Sequence, residues 1–238
     1  SMTLTRELKR RGVNVIARTA VDRVDTGANL GATVHYRQGD SDEDRTAYGE
    51  VVLAAIGRVP NTDADWFRSS GLKLDERGYV TVDGYGRTNL DGVWALGDIT
   101  PGHALAHRAF EQGITIAEKI AGADPKPVLD DTVPQVVFSF PEAASVGLTL
   151  DQAKAREDVV EPKETAYPML SNARMLMSGE GGSMTVVSGA FANNPDMQVV
   201  LGVHIVSPIA SDLIAEAEQL VGNRVPLADA ARLIHPHP

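Results

Sequence analysis

Cysteine is absent from all 238 residues, which excludes disulfides, thiolate-ligated zinc and an on-chain thiol nucleophile. No apolar stretch approaches the roughly 18 residues that a membrane-spanning helix needs. No Gly-x-Gly-x-x-Gly follows a strand-like run, so the phosphate cradle which that motif builds from a tight turn and a helix tip is missing. Positive charge is in deficit. Against 32 Asp and Glu stand only 22 Lys and Arg, a net charge of −10, and such a chain repels nucleic acid and anionic membranes. Solubility is the plainer use of that charge. The opening Ser-Met-Thr-Leu-Thr-Arg lacks the charged-then-apolar design of a secretion signal. Ser1 ahead of Met2 reads as the scar of a cleaved tag, and the thiol-free composition suits a reducing cytoplasm.

What is present is ordinary for a globular chain: 43% hydrophobic and 23% charged residues, with length enough for one or two domains. Glu7 to Gly12 reads as a helix end, basic in its last turn and stopped by Gly12. Val13 to Ala20 suits a strand, and His35 to Asp44 a polar hairpin. Val51-Val-Leu-Ala-Ala-Ile56, ended by Gly57, has the pattern of a strand buried on both faces of a layered α/β domain. Tyr79 to Asp83 and Val93 to Leu96 are further strand signals. Helical spacing then places Ala106, Phe110, Ile114, Ala117 and Ala121 on one apolar face before Gly122. Ala123 to Asp131, with two prolines and four charges, reads as a linker. Beyond it, Thr149-Leu-Asp-Gln152 is a capping box. Met184 to Ala190 and Val199 to Val206 are β-rich runs around a turn at Asn193 to Asp196. Helices are predicted over Ser211 to Val221 and Leu227 to Ile234.

Three stretches carry chemistry. In Gly92-Val-Trp-Ala-Leu-Gly97-Asp98 an apolar strand delivers a carboxylate at its C-terminal edge, where ligands of open α/β sheets bind. Such a carboxylate can accept charge-assisted hydrogen bonds from sugar or ribitol hydroxyls, or can simply cap a helix. Upstream, the run to Gly57-Arg58-Val-Pro60-Asn61 makes a sharp exit, because glycine frees the backbone and proline forbids continuation. Downstream, Leu105-Ala-His107 opens the helix. The terminal His235-Pro-His237-Pro238 stands apart. Two imidazoles make a poor metal site, so no metal is expected, and a solvated tail is the bland alternative.

Taken in this order, these stretches resemble the pyridine nucleotide-disulfide oxidoreductases. The likeness runs through essentially the whole chain but covers only about the last half of a full-length member, so the chain reads as a fragment that is inactive alone. The fold it implies is mixed α/β and α+β: the remnant of a NAD-binding domain over residues 1–60, the C-terminal part of an FAD-binding domain over 61–128, and an α+β interface domain over 129–238. Pro134-Gln-Val-Val-Phe138 to Thr149 is similar to the opening of that interface domain, which makes a homodimer. The resemblance assigns Asp98, after Gly97, to the ribitol chain of FAD, and Leu105, Ala106 and His107 to the pyrimidine end of its ring. Gly57 and Arg58 fall at the end of the nicotinamide-binding region.

His237 matches the family's catalytic base, which a glutamate a few residues later orients, whereas this sequence ends at Pro238. The cofactors implied are FAD and NAD. Leu105-Ala-His107-Arg-Ala-Phe-Glu111-Gln-Gly113 is most similar to the lipoamide dehydrogenase branch, whose partner is a lipoyl-bearing protein of a 2-oxo acid dehydrogenase complex. Quinone- or mercuric-reducing relatives, and a non-catalytic dimerisation module, are the alternatives. Asn172 to Arg174 falls where many members carry an Arg-containing loop, without an assigned role.

Overall fold

The computed structural model describes residues 2–27 and 31–237. The chain forms two compact units, one of Leu8–Arg58 and the other of Ser1–Glu7 together with Val59–Pro238. Helix α1 (Met2–Arg10) ends as its sequence predicts, with Lys9 and Arg10 in the last turn. Gly12, at φ +84°, takes the left-handed position. Its N–H donates to Lys9 O and that of Val13 to Leu8 O, the paired bonds of a Schellman cap.

The smaller unit is a meander of β1 (Thr19–Thr26), β2 (Ala32–Gln38) and β3 (Arg45–Gly49), antiparallel throughout. The predicted polar hairpin is therefore present, as the β2–β3 pair. Across β1 and β2, Arg37 clasps Asp22 through two bonds of 2.9 and 2.7 Å, and this hydrogen bonding holds the Asp22 carboxyl below its usual range. Two sequence expectations fail here. The strand expected over Val13 to Ala20 starts only at Thr19. Val51 to Ile56 joins no ladder at all, and Leu53 and Ile56 are 88% and 96% exposed. A doubly buried strand needs a neighbour on each side and a layer on each face, and the described residues of this unit provide none.

In the larger unit, α2 (Asp65–Ser69) buries Phe67 against Val80 and Ala95. Tyr79 to Asp83 and Val93 to Leu96 are not strands but single bridges, Leu74 to Val80 and Arg87 to Trp94. Tight turns keep them from lengthening: Asp75 Oδ1 accepts from the backbone N–H groups of Arg77 and Tyr79, and Asp83 Oδ1 from those of Tyr85 and Arg87. Then comes α3 (Ala106–Ile120), whose buried residues are Arg108, Thr115 and Ile116. The apolar face expected to pack, Ala106-Phe110-Ile114-Ala117-Ala121, is the exposed one, with Phe110 at 74% and Ile114 at 53%. Hydrophobic periodicity found a real stripe, but no other described element covers it.

The remainder is an α+β unit. Strands β4 (Gln135–Val137), β5 (Glu142–Gly147), β6 (Val159–Pro168), β7 (Ser183–Phe191) and β8 (Asn194–Ser207) form one antiparallel sheet of order β4-β5-β8-β7-β6. The β7–β8 turn is shorter than expected, closing at Ala192-Asn193 with Asn194 already paired to Phe191. Pro195 is tolerated inside β8 because it falls in the register shift between Gly189 and Phe191, where no ladder donor is needed. Between β5 and β6 lies α4 (Leu150–Ala155), and its capping box is present as predicted: Thr149 accepts from Gln152 N–H, and the Gln152 side chain returns to the Thr149 backbone. A six-residue helix depends on such a cap, so Thr149→Ala is expected to lose about 1 kcal/mol, read as a lower thermal midpoint. Helices α5 (Ala173–Ser178), α6 (Ala210–Gly222) and α7 (Leu227–Ala230) complete the chain. On α6, Ala210, Ile214, Ala217 and Val221 recur at helical spacing and pack on Val146, Val203 and Ile205. The last helix stops at Ala230, short of the predicted Ile234. Among the described residues no helix is long and apolar enough to cross a membrane.

Candidate functional site

The turn that carries Asp98 is built by its neighbours. Gly97 sits buried at φ +74°, a left-handed conformation open to glycine, and starts a 3₁₀ turn over Gly97–Ile99. Thr100 closes that turn, its N–H and its hydroxyl both donating to Gly97 O at 2.9 and 2.8 Å. From α3, Gln112 Oε1 accepts the Gly97 N–H at 2.9 Å, and the Ala109 methyl leaves 3.5 Å for a Cβ at Gly97. The turn is thus docked on the first half of α3. Asp98 itself is exposed, and its carboxylate has no hydrogen-bonding partner among the described residues.

The start of α3 is bare. Leu105 is the N-cap and gives no side-chain cap, and the first helical bond runs from Ala109 N–H to Leu105 O. The N–H groups of Ala106, His107 and Arg108 therefore have no acceptor among the described residues, and together they carry the positive end of the helix dipole. His107 reaches Pro134 O at 2.7 Å, so its Nε2 is the protonated nitrogen. Leu105 and His107 line a cleft of about 820 Å³ whose far wall includes Phe138 on the chain after β4 and Ile214 and Glu218 on α6. Asp98 is not among the residues lining that cleft.

Sequence reading missed four anchoring side chains, Arg108, Gln112, Glu142 and Glu216. Arg108, almost wholly buried, donates from Nε to Asp130 Oδ1 at 2.7 Å and from Nη2 to Pro101 O at 2.6 Å. The segment read as a linker is thereby bolted to the Asp98 turn. Gln112 is the second contact. On the third, Glu142 Oε2 accepts the Ser211 N–H at 2.8 Å and so caps α6 from β5. The signal for the first two lay in the helix itself: Arg108, Gln112 and Thr115 share a face at helical spacing, but it is polar, and hydrophobic periodicity points away from it.

The fourth contact lies in the tail. His235 Nε2 is 2.7 Å from Glu216 Oε1 on α6. That hydrogen bond, with the adjacent negative charge, raises the imidazole above its ordinary 6.5. A raised folded value means that the pair helps the fold at low pH and that this help is lost as pH climbs through the raised value. His237 is exposed and makes no hydrogen bond to the described residues. No group of three or more His, Asp or Glu among the described residues is placed to hold a metal.

The structure therefore brings Gly97, Asp98, Leu105, Ala106 and His107 around one turn and one helix tip. His237 is placed elsewhere, at the chain's end. Gly57, at φ +118°, and Arg58 are exposed at the edge of the smaller unit. Asn172 Oδ1 caps α5, accepting from the N–H groups of Arg174 and Met175, which gives this loop a structural task.

An FAD fits the donors and acceptors described. An exposed, unengaged carboxylate suits ribitol hydroxyls, and three unsatisfied N–H groups suit an electron-rich ring edge.

Against known proteins, residues 1–113 match the family described as pyridine nucleotide-disulphide oxidoreductase, and residues 133–238 match the dimerisation domain of that family. The chain is 38% identical over 235 residues to the dihydrolipoyl dehydrogenase of Cupriavidus necator, covering 98% of this chain and 47% of that one. With the dihydrolipoyl dehydrogenase of Geobacillus stearothermophilus the identity is 37% over 241 residues, or 99% of this chain and 48% of that one. The crystal structure of LpdA from Mycobacterium tuberculosis superposes with a TM-score of 0.83 at 30% identity, over all of this chain and 49% of that one. The chain spans about half the length of the curated relatives it matches.

Proposed function

Since the chain belongs to the pyridine nucleotide-disulphide oxidoreductase family and ends in its dimerisation domain, we propose that it supplies the ribityl contact, the flavin-facing helix tip and the dimer-forming domain of a dihydrolipoyl dehydrogenase. The observation that carries this reading is the docking of the Asp98 turn on α3 beside a helix tip with bare N–H groups. In that role Asp98 accepts from ribitol hydroxyls. The tip at Ala106 to Arg108 faces the pyrimidine edge of the ring and favours added negative charge there. FAD, when bound, supplies two-electron transfer between a dithiol and NAD⁺. His237 takes the proton from the dithiol as general base. Gly57 and Arg58 belong to the end of the nicotinamide-binding region. The domain limits we assign are 1–60, 61–128 and 129–238. The break between the two compact units, after Arg58, supports the first limit, and the proline-rich passage before Val133 supports the second. A homodimer, a lipoyl-bearing protein as partner and a cytoplasmic setting complete the reading.

The chain holds neither thiols nor a Gly-x-Gly-x-x-Gly cradle, so alone it acts as a folding and dimerisation module. Purification without bound flavin, judged by visible absorbance, is the expected result, and stoichiometric FAD on the isolated chain would contradict it. The reading itself is tested by joining the chain to a polypeptide that carries the cysteine pair and the cradles. Lipoamide-dependent oxidation of NADH is expected. Turnover of quinones with no response to lipoamide would remove this assignment. In that assembly, His237→Gln is expected to slow thiol oxidation by about 10²-fold or more and to leave flavin binding intact.

A further inference from the structure

The proposed base must be held in a set direction to work, and the structure ties down the histidine two residues before it. His235 Nε2 meets Glu216 Oε1 at 2.7 Å, while its Nδ1 lies 3.0 Å from Leu233 O. Carboxylate and carbonyl oxygens only accept. Both ring nitrogens must then carry hydrogen, so these two bonds are made together only by the protonated ring. Glu216 is the one charged group within ion-pair reach of His235 among the described residues.

This contact ties down a segment that little else holds. Beyond α7, residues 233–237 have no regular structure and are exposed, with Ile234 at 99%. Glu216, by contrast, projects from a helix fixed through Ile214 and Ala217 in the core of the sheet. Only Pro236 separates the two histidines, and its ring locks one of the few dihedrals between them. Where His235 is clamped, the direction in which the chain carries His237 away from α6 is restricted too.

We infer that Glu216 and His235 form a positioning pair for His237, holding the tail against α6 so that the second imidazole is presented outward at a set place. This role rests on the proposed assignment of His237 as the base. Neither residue of the pair is catalytic, since neither touches the reacting atoms.

The pair is half-exposed, so it biases the tail between held and free by about two- to fivefold rather than absolutely. In the 238-residue chain, Glu216→Gln is expected to lower the His235 titration midpoint, followed by imidazole NMR, and to reduce the {¹H}–¹⁵N NOE of the His237 amide. His235→Gln is expected to reduce the same NOE, and the double variant to go no further than either single one. An unchanged His237 amide in both single variants would overturn the inference, whatever the His235 midpoint does. In the assembled enzyme the same variants are expected to lower kcat for dihydrolipoamide by about two- to fivefold, to leave reduction of the flavin by NADH unchanged, and to steepen the loss in neither KM. Should the amide respond while His237→Gln leaves turnover untouched, the tie would stand and the base assignment would fall. Should His237→Gln abolish turnover while the pair variants match the parent rate, the pair would lose its positioning role.

Discussion

Asp130→Ala is expected to cost about 3 kcal/mol, and Arg108→Met clearly less, although the two substitutions break the same ion pair. The asymmetry follows from where each partner lies. The Arg108 side chain is 7% exposed and that of Asp130 42%. Without the carboxylate, the guanidinium stays buried with Pro101 O at 2.6 Å and a long contact of 3.4 Å to the Thr100 hydroxyl, and a buried charge without its counter-ion is the expensive state. Without the guanidinium, Asp130 turns to water, and a flexible methionine fills the space of the arginine's stem. The loss is then about 1 kcal/mol. Urea unfolding followed by the two tryptophans, Trp66 and Trp94, measures both. Equal losses would show that packing around Arg108, not its charge, decides the effect. Gly102 reports on the same crowding, since a Cβ there would collide with the Arg108 guanidinium and the Asp130 carboxylate.

Gly202→Ala is expected to be more damaging still, by at least about 3 kcal/mol. A Cβ at Gly202 would overlap Leu148 O and stand 2.8 Å from Leu148 N and 3.0 Å from Leu148 C. All of these are backbone atoms, so no side chain can swing aside. The close approach is shared by Gly147, at φ +78°, where a Cβ would come within 2.7 Å of Gly202 Cα. The pair lets the chain leave β5 across the face of β8, with Leu148 N–H donating to Leu201 O at 2.9 Å. Gly113→Ala is the matching control. It lies within α3, and the nearest atom to its new Cβ is 4.0 Å away. Removing a helix-interior glycine there is expected to add about 0.5–1 kcal/mol. Circular dichroism melts of the two variants should move in opposite directions, and a stable Gly202→Ala would mean that β5 and β8 can separate without loss.

Local signals were the legible part of this chain. Thr149 and Gln152 are three residues apart, and their mutual capping is set by that spacing alone. The Gly12 stop and the apolar runs of β7, β8 and α6 are similarly local. Burial was not legible from periodicity alone. Val51 to Ile56 and the Phe110-Ile114 stripe of α3 have the composition of buried faces, yet they pack on nothing described. Long-range polar pairs were invisible for another reason. Arg108 and Asp130, or Glu216 and His235, are about one and a half dozen residues or more apart, and no periodicity marks one charge for another. The Asp98 turn was located by its strand-to-Gly-Asp pattern, but the strand itself is reduced to a bridge, and the turn is fixed by Gln112 instead.

The bare run Val51-Val-Leu-Ala-Ala-Ile56 has a consequence for the chain in solution. It holds no charge and no proline, its branched side chains favour extended pairing, and its backbone N–H and C=O groups face no neighbouring strand among the described residues. Two molecules that meet along it can zip edge to edge without unfolding anything else. Dilution, cold storage at low concentration or a charged residue placed at Ala54 should therefore do more to keep preparations clear than any change in the well-packed sheet of the second half.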